Sequence, residues 1–257
     1  MTDGLWESKV LELASYTGKV MIQNGGEVSR AEDVISRVGI YYGYNIDVFV
    51  TLTCICISMK GKNGKYYSQI TRIKSRDLNL YKVSQVNDLM RKINLYSYEE
   101  FYNRLKEIEK IYNLEFLRFL IGCILIGAAF TIMFNAGLTE AIVGGIGGFV
   151  IAILVTILNR YKINGFVVNM MGAILASAVA CYATYLGYTK ETSIIIISQL
   201  MIFVPGVAFV NTVRDLLSGD LIAGLSRFIE VLMVATALAV GVGIVFKIYA
   251  SFGGVIY

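Results

Sequence analysis

The run INGFVVNMMGAILASAVACYATYLGYT, residues 163–189, contains no charged side chain. A helix that crosses the hydrocarbon core of a bilayer needs about 20 apolar residues. Because no water is present there to pair with backbone N–H and C=O groups, such a run adopts a helix, which pairs these groups internally. The run therefore predicts a membrane-spanning helix, and it decides the fold class of the chain.

Four further segments share this character. We expect five spans in all, at about 117–135, 141–158, 166–187, 193–213 and 228–249. The mean hydropathy of +0.63 and the charged fraction of 16% support this assignment, since soluble domains contain about 25% charged residues. The predicted fold class is an α-helical integral membrane protein with about five transmembrane helices, preceded by a small cytoplasmic α+β domain.

Charged side chains are concentrated in the first part of the chain, and their density falls abruptly near Phe116. The sequence therefore predicts two domains, an α+β domain at 1–116 and a transmembrane helical domain at 117–257. The chain begins without a basic and apolar leader, so we expect the first domain to stay in the cytoplasm. The net charge of +4 forms no long run of like charge, which removes nucleic acid from the expected partners.

Basic residues in the loops set the expected orientation. Arg160 and Lys162 lie in one loop between predicted spans, and Arg214 and Arg227 lie in another. Cytoplasmic loops of membrane proteins carry an excess of Lys and Arg. We therefore expect the N-terminus inside the cell and the C-terminus outside.

Apolar periodicity and capping residues predict the elements of the first domain. In chain order they are a helix at 6–21, a helix opened by a capping box of Ser29 and Glu32, strands at 45–59 and 66–74, and two helices capped by Ser84 and Ser97. The carboxylates scattered through this domain are interpreted as surface acids and helix caps rather than as a catalytic pair.

The chain contains no histidine. Ser-His-Asp and Cys-His catalysis, histidine-ligated metal sites and histidine pH switches are therefore excluded. The four cysteines match no metal-ligand spacing, and we expect them to be packed, reduced thiols, with Cys54 and Cys56 on one face of a strand. We accordingly predict no enzymatic activity, no catalytic residue, no metal and no cofactor.

The segment 193–213 contains the only proline of the chain, Pro205, followed by Gly206. Proline donates no backbone hydrogen bond and clashes with the preceding turn, so the helix is expected to break there. Broken helices often form transporter binding sites near the middle of the membrane. We predict a substrate site at this break, with Asn211 as a further polar contact, and a simple kink is the alternative.

Two other polar side chains, Gln199 and Asn169, lie within predicted spans. Either one is a substrate contact or a hydrogen-bonding link between helices. They complete the predicted substrate-binding set of Pro205, Gly206, Asn211, Gln199 and Asn169.

A charged, glycine-punctuated turn leads into the last span. Glu230 lies inside an otherwise apolar helix, where an ionisable group is expensive, so it is either functional or a partner of Arg227. Asp215 is either functional or an interfacial anchor. The predicted ion-coupling residues are Glu230, Asp215, Asp220 and Arg227.

Two stretches carry a resemblance to a known family. The block FVPGVAFVNTVRDLLSGD at 203–220, continued by Gly224-Leu-Ser-Arg227, resembles the signature of the threonine/serine exporter family. The stretch NGGEVSRAEDVISR at 24–37 resembles that family's N-terminal pattern, as does the predicted hairpin ending Thr71-Arg-Ile. The length and the order of the parts are similar to the split form, in which a larger subunit with a cytoplasmic domain and five spans works with a smaller membrane subunit.

The resemblance implies secondary export of small polar metabolites across the bacterial inner membrane, driven by protons. The substrates it implies are threonine- and serine-like amino acids or dicarboxylates such as succinate. We therefore expect the smaller membrane subunit as a partner, together with the lipid bilayer and assembly into an oligomer. Glycines at 144, 145, 147 and 148 are expected to let a neighbouring helix approach closely.

Two other classes of protein remain as alternatives. A membrane-anchored sensor or scaffold with inert spans would leave the Pro205–Gly206 break and Glu230 without a function. A membrane-tethered enzyme would need an acid–base pair or nucleophile in the first domain.

Overall fold

A computed structural model describes residues 4–111 and 116–251 of the chain. Contacts between Cα atoms group the chain into two compact units. The N-terminal unit contains Met1–Asn113 and the later stretch Val207–Phe228, and the helical unit contains Leu114–Gly206 and Ile229–Tyr257. The stretch Val207–Phe228 thus packs with the N-terminal part of the chain, although the sequence assigned it to the transmembrane domain.

The N-terminal unit is an α+β structure. Its elements in the first part of the chain are α1 Leu5–Gln23, α2 Val28–Tyr41, β1 Ile46–Val50, β2 Cys54–Lys60, β3 Tyr66–Arg72, α3 Leu80–Arg91, a short 3-10 helix Ile93–Leu95 and α4 Tyr98–Lys110. The three strands form an antiparallel sheet in the order β1-β2-β3, in which Val48 pairs with Ile57 and Ile57 with Gln69. Side chains of α1 to α4 and of β1 and β2 share one buried core.

The alternating burial of β2 explains why its sequence is so apolar. Ile55, Ile57 and Met59 point into the core, whereas Cys54 and Cys56 lie on the opposite face with their sulfur atoms 3.7 Å apart. This confirms that the two thiols share one face of a strand. Successive residues of a strand point to opposite faces, which is the pattern that predicted the strand.

Local predictions in this unit had mixed outcomes. Ser97 caps α4 in a complete capping box with Glu100, as expected. The Ser29 capping box is wrong, because α2 already begins at Val28 and the Glu32 carboxylate accepts a hydrogen bond from the Val50 N–H instead.

The other two local errors concern element bounds. Asn79, not Ser84, caps α3, since its side chain accepts from the Lys82 N–H. The single strand expected at 45–59 is two strands, β1 and β2, joined by a tight turn in which the Thr51 N–H donates to the Cys54 carbonyl.

Residues 116–251, as the structure describes them, form the helices α5 Phe116–Met133, α6 Leu138–Arg160, α7 Gly165–Tyr185, α8 Thr192–Leu200, α9 Gly206–Leu217 and α10 Leu221–Ser251. Four of them, α5, α6, α7 and α10, are long and apolar enough to cross a membrane. These four coincide with predicted spans to within a few residues at most ends. The start of α10 differs most, at Leu221 rather than 228.

The fifth predicted span, 193–213, is not one helix but two short ones. The first, α8, ends at Leu200, and α9 begins at Gly206. The physical reason is Pro205, which removes a backbone donor and sterically opposes a continuing helix. The break itself was predicted; the expectation of a single transmembrane helix through it is corrected.

Glycines hold α5 and α6 together at close range. A Cβ atom built on Gly127 would overlap the Gly144 carbonyl, and one on Gly148 would overlap the Cys123 carbonyl. The Thr131 hydroxyl donates to the Gly127 carbonyl within α5 at 2.7 Å. This glycine face is therefore filled within the same chain, and ordinary helix packing accounts for it.

Candidate functional site

Two of the predicted site residues, Asn211 and Asp215, contact the loop that joins α1 to α2. This loop together with the first residue of α2, Asn24-Gly-Gly-Glu-Val28, is called the glycine turn here. The Asn211 side-chain amide donates to the Gly25 carbonyl at 3.0 Å. The N–H of Val28, the first residue of α2, donates to Asp215 Oδ1 at 3.2 Å. One face of α9 therefore binds the backbone on both sides of Glu27.

Arg227, near the start of α10, contacts the same turn. Its Nη2 donates to the Gly26 carbonyl at 3.3 Å, and its Nε lies 3.3 Å from Asp215 Oδ2. Asp215 is fully buried and Arg227 is 6% exposed. At the rim, Arg214 forms an ion pair with Glu27. We call this set of contacts the clamp, with Asn211, Arg214, Asp215 and Arg227 on one side and Gly25–Val28 on the other.

The glycine turn owes its shape to its two glycines. Gly25 has φ +86°, a left-handed conformation that side chains other than glycine rarely adopt. A Cβ on Gly26 would lie 2.9 Å from the Met21 carbonyl, to which the Gly26 N–H donates. The Gly25 carbonyl accepts a hydrogen bond from Asn211, and the Gly26 carbonyl accepts one from Arg227. The glycine turn can therefore present bare backbone to α9 and α10.

Burial governs the electrostatics of the clamp. Burial raises the pKa of Asp215, and Asp220 and Glu27 raise it further, although the Arg227 guanidinium and the Val28 N–H act in the opposite direction. Burial likewise raises the pKa of Glu32; the hydrogen bond from the Val50 N–H opposes this, and Asp220 adds to it. Burial in the clamp thus makes the ionised form of Asp215 less favourable than it would be in water.

The structure brings together three of the four residues predicted to couple ions. Asp215 and Arg227 form the buried ion pair, and Asp220 is close enough to shift the pKa of Asp215. Glu230 belongs to the helical unit and is exposed on α10. Asp215 pairs with Arg227 inside the N-terminal unit. The pairing of Glu230 with Arg227 that the sequence suggested stays a prediction.

The predicted substrate-binding residues fall in different surroundings. Asn211 belongs to the clamp. Pro205 is half-buried, and Gly206 is exposed, with open space where a Cβ would lie. Asn169 is half-buried on α7.

Gln199, on the last turn of α8, is the exceptional member of that set. It is fully buried, and within the described residues neither its side-chain oxygen nor its side-chain nitrogen has a hydrogen-bond partner. Gly147 of α6 faces it so closely that a Cβ there would overlap the amide. Buried amides are normally hydrogen-bonded, so this group has capacity for a polar ligand.

Sequence reasoning missed two features. The first is the glycine turn as the binding partner of Asn211, Asp215 and Arg227. The second is Ser177 on α7, a fully buried hydroxyl that lacks a partner among the described residues. Among those same residues, no group of three His, Cys, Asp or Glu side chains is placed to hold a metal ion.

Comparison with known proteins identifies the family. The profile of a family described as "Putative threonine/serine exporter" matches residues 12–249. The chain belongs to the threonine/serine exporter family. The match covers the glycine turn, the clamp, the break, the helices α5 to α7 and α10 up to residue 249, which marks the chain as a multi-pass membrane protein.

Relatives of two kinds resemble this family member. "Threonine/serine exporter" of Corynebacterium glutamicum is 25% identical over 95% of this chain, and the chain spans about half of that relative, 52% of its length. "Probable succinate transporter subunit YjjP" of Klebsiella aerogenes is 22% identical over 91% of both chains. The protein of the same name from Escherichia coli K12 is 21% identical over 96% of this chain and 97% of the relative. No solved structure matches the chain.

Proposed function

We propose that the chain is one subunit of a secondary exporter that moves small polar metabolites out across the bacterial inner membrane. Its membership of the exporter family supports the transport class. The names of its relatives support two substrate classes, threonine- or serine-like amino acids and dicarboxylates such as succinate. The basic residues at the end of α6, Arg160 and Lys162, and at the α9–α10 corner, Arg214 and Arg227, support an orientation with the N-terminus inside and the C-terminus outside.

The observation that carries the substrate site is the buried amide of Gln199. An amide without partners in an apolar environment costs about 1–3 kcal/mol, judged from protein mutations. A small polar metabolite that accepts from Nε2 and donates to Oε1 would remove that penalty. The amide is neutral, so it suits the polar groups of a zwitterion or a carboxylate without demanding a net charge.

The Pro205–Gly206 break supports a substrate site close to Gln199 in the sequence. Helix α8 ends one residue after Gln199, and the chain continues without regular helix until Gly206. Irregular backbone at membrane depth is tolerated where it is buried in protein or lines a cavity. We assign Gln199 as the first substrate contact, with Pro205, Gly206 and Asn169 as further candidates, and we reassign Asn211 to the clamp.

Proton coupling is the second part of the proposal. A carboxyl group with a raised pKa exchanges a proton closer to neutral pH than an ordinary one. Asp215 has that property and lies beside Asp220 and Arg227. Glu230 stays a candidate on α10, where an ionisable side chain within an apolar helix favours a function.

A smaller membrane subunit is the proposed partner. Two relatives that match nearly the full chain are named as transporter subunits, and a third is about twice as long as the matched stretch. A second polypeptide that corresponds to the rest of the longer relative would reconcile these lengths. Assembly of the two subunits into an oligomer follows from the same argument.

Counterflow in proteoliposomes tests the proposal. The full chain would be reconstituted with and without the proposed smaller membrane subunit and offered labelled threonine, serine and succinate. We expect counterflow of one substrate class only when both subunits are present, and its loss in Gln199→Leu. Absence of counterflow for every substrate with both subunits would refute the exporter, and wild-type counterflow in Gln199→Leu would refute the site.

A further inference from the structure

The glycine turn holds two helices that are adjacent in sequence. Asn211 and Asp215 attach α9 to it, and Arg227 attaches the start of α10. Ala223 of α10 is 2% exposed and is part of the N-terminal unit's core. The α9–α10 corner is therefore built into the N-terminal unit by side chain to backbone bonds and by apolar packing.

The buried ion pair fixes the position of this corner. Asp215 uses one oxygen for the Val28 N–H and the other for the Arg227 guanidinium, and Arg227 in turn reaches the Gly26 carbonyl. A buried ion pair contributes little net stability compared with apolar packing, but its geometry is demanding. Such a network therefore fixes the orientation of α9 and α10 on the glycine turn more than it adds to the stability of their packing.

The chain links this corner to the region of the proposed substrate site. Helix α9 begins at Gly206, immediately after Pro205, and α10, which carries Arg227 in its second turn, is a candidate membrane span. A rigid helix transmits a displacement along its length, and hinges lie at positions that absorb backbone changes, such as the ends of helices. A shift of the glycine turn would therefore move α9, which begins directly after Pro205.

We infer that Asn211, Asp215 and Arg227 are positioning residues for transport: by clamping α9 to the glycine turn, they make the N-terminal unit part of the moving machinery. The inference rests on the proposed export function. The ligand of these side chains is the chain's own backbone at residues 25–28, not the exported metabolite. In this arrangement a change at the glycine turn alters the rate of the transport cycle while the substrate contact at Gln199 is preserved.

The rim pair of Glu27 and Arg214 offers a reversible test. Glu27→Arg or Arg214→Glu places like charges together, whereas the double variant restores an opposite pair. The reversed pair of Asp33 and Arg37, which form an exposed ion pair within α2 away from the clamp, is the matched control. Each full-length variant would be reconstituted with the small subunit and measured by hydrogen exchange of residues 24–28 and 207–217 and by counterflow.

Each single variant is expected to exchange faster at both segments and to lower the maximal counterflow rate about tenfold, while the substrate concentration for half-maximal rate stays unchanged. The double variant is expected to recover protection and rate together. Asp215→Asn, which keeps an oxygen for the Val28 N–H, should lose less rate than Asp215→Leu.

Three results would overturn the inference. Faster exchange with a wild-type rate would make the clamp a structural fastening alone. A raised half-maximal concentration at an unchanged maximal rate would assign these residues to substrate binding. If both single variants are impaired and the double variant recovers neither protection nor rate, the Glu27–Arg214 contact is not the cause of the lost rate. A wild-type chain that transports nothing would instead refute the proposed function itself.

Discussion

Asp215 and Arg227 form a buried ion pair, with Oδ2 and Nε 3.3 Å apart, and each side chain also bonds to the backbone of the same turn. Two residues on consecutive helices are thus tied to a loop that lies far away in sequence. Removing a charge from water is expensive, and attraction between the charges offsets that penalty only when the remaining polar atoms are also bonded. The backbone groups of Val28 and Gly26 supply those bonds.

Removal of one member of this pair is therefore expected to destabilise the N-terminal unit strongly. Asp215→Ala would leave the buried Arg227 guanidinium without the Asp215 carboxylate, which should lower the free energy of unfolding by about 3–5 kcal/mol. Replacing both residues, in Asp215→Leu with Arg227→Met, should recover most of that loss. Thermal unfolding of the purified full chain in detergent measures both, and an unchanged midpoint in Asp215→Ala would contradict the role of the pair.

The stability of the N-terminal unit should also depend on the protonation of Asp215. Because burial raises its folded-state pKa above the ordinary value of about 3.9, the folded chain keeps this proton to a higher pH than the unfolded chain. Stability contributed by this group is therefore present below the ordinary value and is lost as pH rises toward the raised value. As pH rises through this interval, the free energy of unfolding of the native chain should fall relative to that of Asp215→Asn.

Glu32 provides an independent check of that pH dependence. Its pKa is raised for the same main reason, burial, so Glu32→Gln should flatten part of the same slope. Unfolding midpoints measured in steps of pH for the native chain and the two variants separate the contributions. A slope of opposite sign, with stability rising through the interval, would mean that the Arg227 partner outweighs burial at Asp215.

Features set by local chemistry could be predicted from the sequence. The Ser97 capping box needs only residues within one turn, and the four long apolar helices follow from the cost of unpaired backbone in lipid. The break at Pro205 likewise follows from the ring of one residue. In each case the deciding atoms lie within a few positions of one another in the chain.

Features set by distant partners could not be predicted. Glu32 has the spacing of a capping-box residue, but it bonds to the Val50 N–H on a strand that packs beside α2. Asn211 and Asp215 have the polar character of a transport site, but the groups that bind them lie in the glycine turn. The stretches 24–37 and 203–220 both resemble the family pattern, but neither contains a signal that predicts their contact.

The close packing of α5 on α6 predicts a sharp contrast between two glycines of α5. Gly127→Ala would drive a methyl group into the Gly144 carbonyl, whereas Gly122→Ala meets nothing within 4 Å. Overpacking of this kind costs about 1–3 kcal/mol or more when backbone must move. We expect Gly127→Ala to lower the unfolding midpoint in detergent and Gly122→Ala to leave it unchanged or raise it. Equal midpoints for the two variants would show that α5 and α6 are not in backbone contact.

Pro205 should control the separation of α8 from α9. Pro205→Ala restores a backbone donor and removes the ring, so the two short helices can extend toward each other. Hydrogen exchange of residues 201–206 is expected to slow in this variant, while counterflow falls because the irregular backbone beside Gln199 is lost. The control is Gly243→Ala on α10, outside the proposed site, because a Cβ there would meet nothing within 4 Å. If a Pro205→Ala chain shows slowed exchange and wild-type counterflow, the break is a simple kink that has no part in substrate binding.

Gln199 predicts opposite effects on stability and on transport. Its buried amide has no partner among the described residues, so replacing it by methionine, which is apolar and of similar shape, removes an unsatisfied donor and acceptor from an apolar interior. Relief of that penalty should stabilise the helical unit by about 1–3 kcal/mol. The same change deletes the polar groups that would bind the metabolite, so counterflow should be lost from a better-folded protein. Ser198→Ala is the matched control, because the Ser198 hydroxyl already donates to the Ile194 carbonyl at 2.7 Å. A Gln199→Met chain that is both stable and active would mean that the substrate binds elsewhere.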